Sequence, residues 1–166
     1  MTEYYMYSVN IYLCVVRVDL MGISDIVKVI EHDVTASSML NSLPAPGTVD
    51  VVTMSYSYSM IPNQAAAVAN AAKLLKAKEG ILMIADFFQK GNYDDCLPFF
   101  SRNLRAMESF FHVQYFALDH IHLLGEKELE IGNDELETIW DNRFRGSVPF
   151  LPFLQPYHGV YIQRKK

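Results

Sequence analysis

Between Val49 and Phe88 the chain reads as one strand–helix–strand unit, and no other feature narrows its fold so far. VDVVTM is short, apolar and β-branched, which predicts a buried strand over Val49 to Met54. Pro62 and Asn63, a good N-cap, then introduce QAAAVANAAKLLKAK, whose alanine, leucine and lysine content is strongly helix-forming. Ala67, Ala71, Leu74 and Leu75 share one face of that helix. Lys73, Lys76 and Lys78 gather near its carboxyl end, where the dipole favours cations. Gly80 stops it, and ILMIADFF follows as a continuous apolar strand of the kind covered on both faces in a parallel sheet. A βαβ crossover of this sort belongs to an α/β domain.

The rest of the chain extends that unit. Ile11 to Val18 is apolar and β-branched and is predicted to be a strand ending at Asp19, with Met21-Gly22 turning the chain. Ile26 to Ile30 reads as a second strand, and LNSLPAPG is loop chemistry. Phe100, Leu104, Met107, Phe111 and Tyr115 recur at spacings of four and three, marking a second amphipathic helix. Glu137 to Phe144 and Tyr157 to Gln163 read as strands joined by RGSVPFLPFLQP without a helix, so they should be antiparallel neighbours. The order is βββαβαββ, a doubly wound, Rossmann-like sheet, mostly parallel with an antiparallel last strand.

With 166 residues, 51% of them hydrophobic and 20% charged, one packed domain is expected, covering 1–166. The net charge of -5 supplies no basic field for phosphates, and no patch beyond Arg164, Lys165 and Lys166 suggests a nucleic-acid partner. Cys14 and Cys96 are too far apart in sequence for a disulfide framework or a paired metal motif, which favours a reducing compartment. Arg17 and Asp19 interrupt the first apolar run, so neither a signal peptide nor a membrane span is expected. These features favour a cytoplasmic protein whose contact with an internal membrane would be peripheral.

Several residues carry chemistry by position. Asp19, placed at the carboxyl end of a strand, can accept hydrogen bonds from a ribose diol or cap the turn before Gly22. Asp33, at the end of the next strand, is a ligand contact or a plain loop aspartate that caps DVTASSML. Ser55, Tyr56 and Ser57 follow a strand at the edge where open α/β sheets hold ligands, although Tyr56 and Tyr58 could also prolong the strand with one tyrosine buried. His120 and His122 lie one residue apart beside Asp119. Without a further ligand at suitable spacing, no metal is expected. Arg143, Arg145, Tyr157 and His158 bracket the proline-rich connection, whose Phe150, Leu151, Phe153 and Leu154 either close the core or meet lipid.

The stretches VDVVTMSYSYSMIPN, GILMIADFF, FALDHIHLLGEKELE and RFRGSVPFLPFLQPYHGVYI together resemble the carboxyl-terminal two-thirds of the methyltransferase module of betaine lipid synthases, a class I S-adenosylmethionine-dependent type. The resemblance spans Val15 to Ile162, leaving residues 1–14 outside it. It implies methylation of the amino nitrogen of a diacylglycerol-linked homoserine lipid, with S-adenosylmethionine as donor. It implies cofactor contacts at Asp19, Asp33, the Val34 amide, Ser55, Tyr56 and Ser57. Substrate contacts would fall to Asp119, His120, Arg143, Arg145, Tyr157 and His158, one arginine clamping the permanent carboxylate of the acceptor. Such modules can be accompanied by an aminocarboxypropyl-transferase module, which no part of this chain resembles.

One departure stands against these matches. No two glycines lie close enough to form the glycine-rich turn that lets backbone approach the cofactor, so the first strand, its loop and the following helix are expected to be missing and the domain to be truncated. Two other readings therefore remain: a non-catalytic fragment acting as an interaction domain, and a methyltransferase for a soluble small molecule.

Overall fold

In the computed structural model, the described residues are 4–6, 11–41, 43–89, 99–117, 121–132, 134–146 and 156–166. The predicted βαβ unit is present. Strand β3 (Val51–Ser55) leads through a short 3-10 turn at Tyr58–Met60 to helix α2 (Gln64–Leu74), then to strand β4 (Ile81–Phe88). Asn63 caps α2, its side-chain oxygen accepting from the Ala66 amide at 3.1 Å. β3 and β4 pair in parallel, from Val51 opposite Ile81 to Ser55 opposite Ala85. Along β4 fully buried and half-buried residues alternate, so one face packs tightly under α2 and the other is only partly covered.

The carboxyl-terminal strands complete this sheet. β5 (Leu136–Arg145) and β6 (Tyr157–Lys165) pair antiparallel, and β6 lies antiparallel against β4, giving the order β3-β4-β6-β5. Because β6 runs against β4, its first residues, Tyr157 and His158, face Phe88 and Phe87 at the end of β4. The last residues of β5, Phe144 and Arg145, arrive at the same edge. The core joins Val68 and Ala71 of α2 and Leu75 just past its end to Leu82, Ile84 and Phe88 of β4 and to Tyr157 and Tyr161 of β6.

The amino-terminal third differs from expectation. Ile11–Leu20 is a helix, α1, not a strand. Its valines had suggested β structure, but Val18 occupies the buried helix position, and Gly22 closes a Schellman motif. The Gly22 amide donates to Asp19 O at 3.0 Å and the Ile23 amide to Val18 O at 3.3 Å, with Gly22 at φ +66. α1 connects two short strands, β1 (Tyr4–Met6) and β2 (Val27–Val29), which pair in parallel. A first strand and its following helix are thus present, which corrects the expectation that both were missing. The segment between them, residues 7–10, lies outside the described residues; its sequence, YSVN, contains no glycine. The segment after β2 docks on α2, where buried Asn70 donates to Val34 O at 3.0 Å and Ala36 O at 3.3 Å.

Helix α3 (Phe99–Ala117) forms where the apolar periodicity placed it, but the stripe is not buried: Phe99, Phe100, Leu104, Met107, Phe110 and Phe111 are 58–81% exposed. Periodicity is a local property that decides helix formation and leaves open what covers the face. A single-turn helix, α4 (Glu126–Leu129), precedes β5.

Candidate functional site

The site forms where β3 ends. Asp86, the one charged residue of β4, is fully buried and accepts from Ser59 N at 2.9 Å, Ser59 Oγ at 2.7 Å and its neighbour Phe87 N at 2.8 Å. A buried carboxylate must be paired, and this one is paired to the loop leaving β3. The loop is fixed further by Gln64, which donates to Tyr58 O at 3.0 Å, and by His122, whose amide donates to Ser59 O at 3.0 Å. Tyr58 is wholly buried and donates to Glu128 O at 3.1 Å; burial drives its phenol pKa upward. Of the two tyrosines, Tyr58 is therefore the core residue.

Tyr56 is the other kind. Its backbone has φ 47, a left-handed conformation that disfavours a bulky side chain, and its amide donates to Ala85 O at 2.7 Å. The side chain is 49% exposed and lies at the sheet edge, its hydroxyl 3.0 Å from Nδ1 of His158. The rings of Tyr56 and Phe87 are 5.1 Å apart and those of Phe87 and His158 4.8 Å, while Phe144 stacks near His158 at 6.2 Å. Burial holds the His158 imidazole below its ordinary pKa, outweighing the upward pull of the Asp86 charge. Its Nε2 is sealed from solvent with no hydrogen-bond partner among the described residues. Gly146 lies against it: a Cβ there would come 2.4 Å from Cδ2 and 2.7 Å from Nε2.

The arginines part company. Arg143 is 4% exposed and held by Asp141 at 2.7 and 3.1 Å and by Glu126 at 2.7 and 3.3 Å, with its guanidinium over the Phe88 ring. These carboxylates push its pKa up despite burial and occupy the fork that a substrate carboxylate would need. Arg145 sits over the Tyr157 ring at 5.3 Å, at the edge shared with Tyr56 and His158.

Asp33 lies beyond the end of β2, exposed, with Oδ1 accepting from Thr35 N at 2.8 Å and Thr35 Oγ at 2.7 Å. Those bonds hold its carboxyl below the ordinary range and leave Oδ2 without a partner among the described residues. Val34 packs against the core and its carbonyl is taken by Asn70. Asp19 sits in the last turn of α1, so the strand-end placement that suggested ribose contact does not hold. It lines a cleft of about 370 Å³ with Val15, Asp25 and Lys28. Asp119 and His120 lie outside the described residues, as do Phe150, Leu151, Phe153 and Leu154. Among the described residues no group of three ligating side chains could hold a metal, and no helix is long and apolar enough to cross a membrane.

Asp86, Phe87, Phe144 and Gly146 were not singled out from the sequence. A lone aspartate inside an apolar strand is a legible signal, since it must find donors; the ring partners and the glycine contact depend on strand register.

No protein-family profile and no curated protein matches the chain. Solved structures do. A geranyl diphosphate methyltransferase in complex with S-adenosylmethionine aligns at TM-score 0.68 and 13% identity, covering 99% of this chain and 69% of that one. The geranyl diphosphate C-methyltransferase of Streptomyces coelicolor A3(2), with Mg2+, geranyl diphosphate and S-adenosyl-L-homocysteine, aligns at 0.68 and 11%, covering 99% and 64%. The [4+2]-cyclase SpnF aligns at 0.62 and 12%, covering 99% and 67%. The fold is that of class I S-adenosylmethionine-dependent methyltransferases, and a cyclase on the same fold shows that the fold alone does not decide the chemistry.

Proposed function

We propose that the chain is an S-adenosylmethionine-dependent N-methyltransferase domain whose acceptor is the amine of a lipid head group of the betaine-lipid type. The observation that carries this reading is the meeting of Tyr56 and His158, with the Phe87 and Phe144 rings, on one face at the end of β4 in a methyltransferase-type sheet, where Ser55 also ends β3. Tyr157 and Arg145 stand at the same strand ends on the opposite face. When bound, S-adenosylmethionine supplies an electrophilic methyl on a sulfonium. Asp33 fits the ribose end, being ionised and exposed with one carboxylate oxygen open. The ring faces of Tyr56 and Phe87 suit a sulfonium and, after transfer, a quaternary ammonium. The acceptor's permanent carboxylate is assigned to Arg145, which the resemblance names and which lies over the Tyr157 ring at the end of β5; Arg143 is held by Asp141 and Glu126. Transfer by direct displacement needs alignment and exclusion of water more than a dedicated dyad.

The exposed apolar face of α3 supports a lipid acceptor and peripheral contact with a membrane. The sequence YSVN at 7–10, without glycine, points to weak cofactor binding. Calorimetry with S-adenosylhomocysteine tests the reading: measurable binding is expected, reduced about tenfold in Asp33→Ala for loss of a charge-assisted contact. Absence of binding at millimolar ligand would favour a non-catalytic interaction domain instead.

A further inference from the structure

We propose that Tyr56 and His158 orient the methyl acceptor, Tyr56 Oη receiving an N–H of a neutral amine while His158 Nδ1 holds the Tyr56 proton. This rests on the methyltransferase reading and names how its acceptor is held.

Three features lead there. Tyr56 sits in left-handed backbone, φ 47, a strained conformation for a bulky non-glycine residue. The strain does not serve core packing, because the side chain is half exposed at the ligand edge. His158 can offer Tyr56 only one nitrogen, since Nε2 is closed off behind Gly146 and Nδ1 lies 3.0 Å from the hydroxyl. The imidazole is immobilised between the Phe87 and Phe144 rings.

Direction of donation then decides what the hydroxyl shows to a ligand. With His158 neutral and protonated at Nε2, Nδ1 accepts from Tyr56 and the phenolic oxygen presents a lone pair outward. An amine N–H donating to that lone pair turns its own lone pair away, free to attack a methyl group. With His158 protonated, Nδ1–H donates to Tyr56, and the phenol proton is released to bind the amine lone pair and block attack. Among the described residues, the ionisable group bonded to His158 is Tyr56 from the loop after β3, and the charge acting on it is Asp86 from β4; Arg143, Arg145 and Tyr157 of β5 and β6 are its neighbours in the sheet, on the opposite face. Burial of the imidazole favours the neutral, productive arrangement. Tyr56 touches the acceptor; His158 is a positioning residue acting through it.

The test uses the full chain, with diacylglyceryl homoserine in detergent micelles as acceptor probe. Nitrogen NMR of His158 should show the neutral Nε2–H tautomer; an Nδ1–H tautomer overturns the proposal. Tyr56→Phe should lower kcat at least tenfold with little change in KM. His158→Asn, which keeps an acceptor near the Nδ1 position but does not titrate, should retain most activity. The ratio of wild-type to His158→Asn rates should be flat above pH 6.5 and fall below it. A ratio that stays flat at acid pH, or Tyr56→Phe activity equal to wild type, overturns the proposal. No transfer to the probe, with S-adenosylhomocysteine still bound, overturns the amine acceptor. No binding of S-adenosylhomocysteine overturns the methyltransferase reading itself.

Discussion

Asp86 grips Ser59 twice, through the Ser59 amide at 2.9 Å and the Ser59 hydroxyl at 2.7 Å, across 27 residues of chain and with no exposure to solvent. The loop that carries Tyr56 is therefore pinned from β4, the strand beside it. A ligand edge made of loops gains precision when a buried side chain of the scaffold holds them.

Replacing Asp86 by Asn should expose this dependence. The amide preserves shape but turns one acceptor atom into a donor facing N–H or O–H groups. Leaving buried donors unmet costs about 1–3 kcal/mol. Urea denaturation of Asp86→Asn should show a loss in that range, and Ser59→Ala a smaller one. A stability equal to wild type would mean that the loop is held by other contacts.

Arg143 and Arg145, two residues apart on β5, should separate stability from substrate binding. Arg143→Ala removes a buried guanidinium from two partly exposed carboxylates and should destabilise the fold by about 2 kcal/mol. Its acceptor KM, measured on the folded fraction, should be unchanged. Arg145→Ala should weaken acceptor efficiency about ten- to a hundredfold, from loss of a charge-assisted contact of roughly 1.5–3 kcal/mol, with cofactor affinity intact. Equal losses in donor and acceptor terms for Arg145→Ala would assign it a folding role.

The depressed pKa of His158 makes stability depend on pH in a defined window. Below the unfolded value of 6.5 the unfolded chain binds a proton that the folded chain resists. The unfolded state then holds more protons, and stability falls as pH drops from 6.5 through the lower folded pKa. Above 6.5 the contribution is fully present. His158→Gln should flatten this segment in denaturation series at successive pH values. Asp33 and Glu135, both lowered by hydrogen bonds to Thr35 and Lys165, act in a separate acid range, below their ordinary values of 3.8 and 4.5. An unchanged slope between pH 6.5 and 5 in His158→Gln would exclude His158 as its source.

Much of the fold was legible because its signals were local. The Asn63 cap, the alanine-rich helix and the apolar run from Ile81 each name an element without help from distant residues. The late strands were legible as a pair because prolines between them forbade a helix. Ile11–Leu20 was not legible, since its valines suit a strand and its length fits either element. Gly22 carried the missing signal, as a helix stop rather than a strand turn. At the site, sequence position placed Tyr56 and His158 on the same edge, but their hydrogen bond follows from the antiparallel register of β6 against β4. Arg143 and Arg145 look equivalent in the sequence; the contacts that set Arg143 between Asp141 and Glu126, and Arg145 over the Tyr157 ring, follow from the fold.

The face of α3 gives the last prediction. Successive helix residues turn about 100°, which gathers the exposed Phe99, Phe100, Leu104, Met107, Phe110 and Phe111 on one side. The helix sequence carries two arginines and one glutamate, a net positive charge in a chain of net charge -5. If this face meets lipid, as proposed, the aromatic rings would enter the acyl boundary and the arginines of the helix would favour anionic head groups. Co-sedimentation with phosphatidylcholine vesicles should be weak and should rise when phosphatidylserine is added. Phe100→Ser with Phe111→Ser removes two large side chains, each worth about 1.5–3 kcal/mol when fully buried, so partitioning should fall at least tenfold. High salt should weaken the phosphatidylserine-dependent part. If the same double variant instead abolishes a concentration-dependent dimer and wild type ignores vesicles, the face pairs with a second copy of the chain, and the lipid assignment is wrong.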